Sequence, residues 1–118
     1  MVPEGSTKQD RGEAMTMTEL KTELDKVADT YYLDAPVGTK VPYIVYTWDD
    51  DPNFAADDVI YQKIAAITIN YYFTDFTLMN AVDSALDSLG LFYRASCAYD
   101  SNAKVNIKTY TMEVIDNG

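Results

Sequence analysis

Histidine is absent from the 118 residues, and Cys97 is the one cysteine. The first absence removes the commonest general base, the usual proton shuttle near neutral pH and the commonest metal ligand. The second excludes an intrachain disulfide and a structural zinc site, and a lone thiol suits a reducing compartment. Ser84, Ser88 and Ser96 therefore have no histidine to activate them, and neither has Cys97. A glycine-rich phosphate loop is missing too. No apolar run approaches the ~20 residues a bilayer-spanning helix needs. The opening residues Met1-Val2-Pro3-Glu4-Gly5-Ser6 lack the apolar stretch of a signal peptide. Basic residues are scarce, nine against nineteen acidic ones, for a net charge of −10 and a pI of about 4.1. Such a surface repels phosphates, which disfavours a conventional grip on nucleic acid and on anionic membranes. These absences together predict a soluble, intracellularly made protein that is no enzyme and holds no metal or cofactor.

What is present argues for one packed domain. A hydrophobic share of 47% with 13% aromatic residues fits a globule, and the length suits a single core. Residues 1–15 hold little to bury beyond Val2, and read as a flexible arm or as an extension ahead of a start at Met15 or Met17. Thr16-x-x-Glu19 fits a capping box. Leu20, Leu24, Val27, Ala28 and Tyr31 then share one helical face, so the spacing predicts a helix from 16 until Asp34-Ala35-Pro36 stops it. Residues 41–48 are β-branched and aromatic and read as a strand, with Pro42 at its start or on an edge.

A polar loop, 49–58, follows, and then a long strand at about 59–73, in which Ile67, Ile69, Tyr71 and Phe73 alternate with Thr68, Asn70 and Tyr72. Lys63 interrupts that apolar face, at a bulge or beyond the core's rim. A second helix is predicted over 76–89, capped by Asp75 or Thr74 and closed by Gly90. Residues 91–99 and 105–115 form a hairpin. The fold class is α+β in the order α-β-β-α-β-β: an antiparallel four-stranded sheet with both helices on one face, one domain over 16–118.

Two features stand out from the core. Loop 49–58 carries Asp49, Asp50, Asp51, Asp57 and Asp58, but lacks the ligand spacing of a calcium loop and reads as a solvated connection. Phe54 in its middle either tucks back onto the core or meets a partner. Ten tyrosines include adjacent pairs such as Tyr71-Tyr72, whose members must point to opposite faces of a strand. One of each pair then lies off the main core, which favours a protein partner. Asp83 and Asp87 fall on the polar face of the second helix and read as solvated.

The element order resembles that of the small neck and tail-completion proteins of long-tailed bacteriophages, the tail-terminator group. The resemblance spans about 20–115. It rests on the first helix, the Val41-Pro42-Tyr43-Ile44-Val45-Tyr46 strand and the Ala56-Asp57-Asp58-Val59-Ile60-Tyr61 entry to the long strand. It continues through Ile69-Asn70-Tyr71-Tyr72, the helix end Leu86-Asp87-Ser88-Leu89-Gly90-Leu91-Phe92-Tyr93, and the final hairpin. The resemblance implies a virion protein, made in the bacterial host cytoplasm, that forms a homo-hexameric ring. That ring would end the tail tube and join it to the head, contacting the tube protein and head-side neck proteins while DNA passes through as cargo. Six such chains carry −60 in all, and acidic lumen walls let DNA slide without sticking. Pro42, Asp49, Asp50, Asp51, Phe54, Asp57 and Asp58 are the expected contact residues. The alternative is an acidic inhibitor that mimics DNA on a basic host protein; a third is a small-molecule binding domain of ferredoxin-like type. Residues 1–15 have no counterpart in the resemblance.

Overall fold

A computed structural model of the chain describes residues 14–51 and 64–116. Their order is β1 (Ala14–Met15), α1 (Met17–Asp25), β2 (Asp29–Tyr32), β3 (Tyr43–Asp51), β4 (Ile64–Phe73), a short 3-10 turn (Phe76–Leu78), α2 (Ala81–Ser88), β5 (Arg94–Asp100) and β6 (Val105–Asp116). The fold is α+β. The four strands read from the sequence lie side by side in the order β3-β4-β6-β5, each antiparallel to the next. Because β6 inserts between β4 and β5, the passage through α2 is a split βαβ unit.

The sheet is larger than four strands and mixed rather than purely antiparallel. β2 pairs parallel with the start of β3, and β1 pairs parallel with the end of β6. The helix predicted to run as far as Asp34 therefore ends at Asp25, and residues 29–32 are a strand instead. Locally both were available, since Val27, Ala28 and Tyr31 continue the helical stripe while Thr30, Tyr31 and Tyr32 favour extended backbone. Pairing with residues 43–46 decided it. Thr16 does cap α1 as a capping box, its hydroxyl accepting from the Glu19 amide at 3.1 Å and the Glu19 carboxylate accepting from the Thr16 amide at 2.8 Å.

The predicted second helix is also interrupted. Asp75 accepts from the Thr77 amide and opens the 3-10 turn. The Leu78 carbonyl, which an unbroken helix would offer to Val82, instead accepts the Tyr71 hydroxyl at 3.1 Å. α2 begins afterwards and ends as expected at Gly90, whose φ of 75° suits glycine. The Gly90 amide donates to the Asp87 carbonyl and the Leu91 amide to that of Leu86, a Schellman closure with Leu86 and Leu91 both buried.

One face of the sheet carries the core. Cross-strand rows align Ile44 with Tyr71, Tyr46 with Ile69 and Tyr110, and Trp48 with Ile67 and Met112. Leu20 and Leu24 of α1 and Val82 and Leu86 of α2 complete the same cluster, so both helices cover this face. Val27, on the apolar face predicted for the first helix, and Leu89 pack on it only partly buried. Helices of nine and eight residues are too short to persist alone, so their stability comes from these apolar contacts. The other face has no helix among the described residues. Tyr72 lies there, opposite in direction to Tyr71, and stacks on Tyr43 at 4.5 Å. Next to that pair the Thr109 hydroxyl donates to Asn70 across the strands at 2.8 Å.

Candidate functional site

The predicted contact residues separate into three groups. Pro42 is exposed and immediately precedes β3, but it does not mark a free edge. β2 takes up the pairing of residues 43–46 on that side, so the backbone groups expected to be open for a neighbour are satisfied within the chain. Asp49, Asp50 and Asp51 lie in β3 rather than in a loop, opposite Ala66, Ala65 and Ile64. Strand pairing with β4 carried the extended backbone three residues further than composition suggested. Asp49 is exposed on the face away from the helices. Phe54, Asp57 and Asp58, like Lys63 and residues 1–13, lie outside the described residues.

Exposed apolar side chains do occur, on surfaces the sequence did not single out. Tyr32, Leu33 and Val37 lie in β2 and the segment leading from it, and Leu33 is 63% exposed. Phe76 and Leu78 project from the 3-10 turn, with Phe76 64% exposed and its ring edge-on to Phe73. Phe92 and Tyr99 flank and occupy β5. At the start of β5, a shallow open depression of about 720 Å³ is lined by Thr68, Phe92, Tyr93, Arg94, Thr111 and Glu113.

The densest polar cluster joins α2 to the sheet. The Asp83 carboxylate accepts from Lys108 Nζ at 2.8 Å and from the Tyr110 hydroxyl on one oxygen, and from Tyr93 at 3.4 Å on the other. Tyr93 is also placed to donate to Asp87 at 3.2 Å, and Lys108 donates to Asn80 at 3.1 Å. Partial burial pushes the Asp83 carboxyl up, but the hydrogen bonds from Lys108 and Tyr110 and the Lys108 charge outweigh it and hold it below the ordinary value. Burial, then the Asp83 and Asp87 carboxylates, push Tyr93 up to about 12. Burial and the Asp83 bond push Tyr110 up as well. Both phenols therefore keep their protons at neutral pH. Such a set clamps a helix to a sheet; it offers neither a free base nor a free nucleophile.

Asp83 was expected in water, and only its neighbour Asp87 is well exposed. The missed signal was Lys108, which shares strand parity with Tyr110, Met112 and Val114. A lysine in a core-facing row calls for a carboxylate partner. Comparison of the chain with protein-family models and with characterised proteins finds no match. Among the described residues, no group of three His, Cys, Asp or Glu side chains is placed to hold a metal ion.

Proposed function

We propose that the protein is a structural component of a phage neck, a non-catalytic subunit of a ring that ends the tail tube and joins it to the head. The observation that carries this reading is the distribution of exposed apolar groups on two unlike surfaces. Tyr32, Leu33 and Val37 lie along the β2 side of the sheet, and Phe76 and Leu78 lie on the turn between β4 and α2. Contacts between unlike patches propagate head to tail, and where the rotation closes they generate rings. Burying an apolar side chain of this size contributes about 1.5–3 kcal/mol, so a few such contacts per interface suffice to offset the ordering costs. The acidic composition supports a lumen through which DNA moves without adhering. The element order that underlies the resemblance to tail terminators is consistent with this role, with β2 as an addition to it.

Sedimentation velocity from low to high salt tests the proposal. Subunits at −10 repel one another, and screening shortens that repulsion to ~8 Å at physiological ionic strength. Raising salt should therefore favour hexamers, and Leu33→Ser or Phe76→Ser should weaken them. A DNA mimic bound to a basic protein would show the opposite sign, losing its complex as salt rises. A chain that stays monomeric at all concentrations and salt levels, and that also fails to assemble on purified tail tubes, would remove the ring.

A further inference from the structure

β5 is the barest element of the sheet: all of its residues are exposed except Asp100, on both faces of the strand. It pairs with β6 along one side, and among the described residues no strand pairs along the other. The helices do not reach over it, since Ala95, Cys97 and Tyr99 are exposed although they share the face that carries the core. A seven-residue edge with unpaired backbone groups is a template for another strand.

We infer that this edge binds the same edge of a second copy, antiparallel about a twofold axis at Cys97, so that two sheets continue as one. An axis normal to the sheet keeps each face on its own side, so residues set opposite one another must share parity. Among the registers that satisfy this, only one overlaps the whole strand. It sets Cys97 against the partner's Cys97, Ala95 against the partner's Tyr99, and Arg94 against the partner's Asp100. Arg94 is the one cation of the strand and Asp100 its one anion. Full overlap therefore yields two opposite-charge pairs related by the axis, both on the face away from the helices. The Arg94 guanidinium has no hydrogen-bond or ion-pair partner within the chain among the described residues. Asp100 caps the hairpin turn through one oxygen, Oδ1, which accepts from the Asn102 and Ala103 amides at 2.9 and 3.2 Å. Its other oxygen has no partner among the described residues. Pairs of opposite charge directly across an antiparallel ladder stabilise it, and like charges there oppose it. The strand is complementary to itself in this register. The contact is separate from the ring, which uses the β2 side and the 3-10 turn.

Sedimentation equilibrium of the full chain, followed by thiol cross-linking, tests the assignment. The expected result is a reversible dimer. Arg94→Glu replaces both attractive pairs by repulsive ones and should weaken the dimer about tenfold or more. Arg94 has no hydrogen-bond or ion-pair partner among the described residues, so the thermal unfolding of this variant should match the parent. Opposed residues of an antiparallel ladder lie ~4.5–5.5 Å apart, within the span of a disulfide. Diamide, which takes two electrons and two protons from a pair of thiols, should therefore join two chains through Cys97. Moving the thiol with Cys97→Ser and Ala95→Cys sets each new thiol against Tyr99 and should abolish the cross-link. A monomer that diamide fails to join would overturn the inference. So would a dimer indifferent to Arg94→Glu, or a cross-link that survives the displaced thiol.

Discussion

Replacing Tyr110 by phenylalanine isolates one contribution to the clamp between α2 and the sheet. The ring is fully buried and packs edge-on against Tyr93 at 5.6 Å, and the substitution keeps that packing. What is lost is one hydroxyl that donates to the Asp83 carboxylate. Hydrogen bonds to charged groups contribute about 1.5–3 kcal/mol. Asp83 retains Lys108 and Tyr93, and its side chain is 24% exposed, so water can replace part of the loss. The expected cost is therefore the lower half of that range, about 1.5–2 kcal/mol.

Lys108→Met should cost more, about 2–3 kcal/mol, between the ~0–1 of an exposed pair and the ~3–5 of a fully buried one. Urea unfolding followed by Trp48 fluorescence gives both numbers, provided the slope with denaturant stays constant. Acid supplies an internal control. The Asp83 carboxyl lies below its ordinary value in the fold, so its contribution is present above the unfolded pKa and lost as pH falls through the folded one. The deficit of Tyr110→Phe should shrink over that window. A variant within about 0.5 kcal/mol of the parent at neutral pH, the scatter expected of neutral surface changes, would refute the clamp. A deficit that persists undiminished in acid would refute its electrostatic origin.

Leu86→Ala removes a fully buried side chain between α2 and the sheet and should cost roughly 2–5 kcal/mol in the same assay. No loss would contradict the position of α2. Alkaline unfolding should begin early: Tyr93 and Tyr110 are raised in the fold, so their contribution is intact below the unfolded value of ~10 and lost above it. For Tyr93 the loss runs up to about 12. Absorbance titration of the phenolates alongside circular dichroism should show ionisation and unfolding together, and independent midpoints would break the link.

Several elements were legible because their signals are local. The Thr16 and Glu19 box lies within one turn, the alternation of Ile67, Ile69, Tyr71 and Phe73 within one strand, and the Gly90 closure within six residues of the helix it ends. Segment 29–32 was not legible, since it carries a helical stripe and a strand preference at once and only its pairing with β3 separates them. Asp49 to Asp51 read as a loop by composition, yet pairing with β4 keeps them extended.

The sequence by itself determined the α+β class, the start of the first helix and the end of the second, the central antiparallel strands and the exclusion of histidine-based chemistry. Each of these depends on residue type or on periods of two and 3.6. Only the tertiary structure decided which strands lie at the edges, that β2 pairs with residues 43–46 while β5 is bare, and that Asp83 meets Lys108 across 25 positions. Those outcomes depend on pairing between distant segments, and a burial pattern says which face a residue occupies without saying which strand lies beside it.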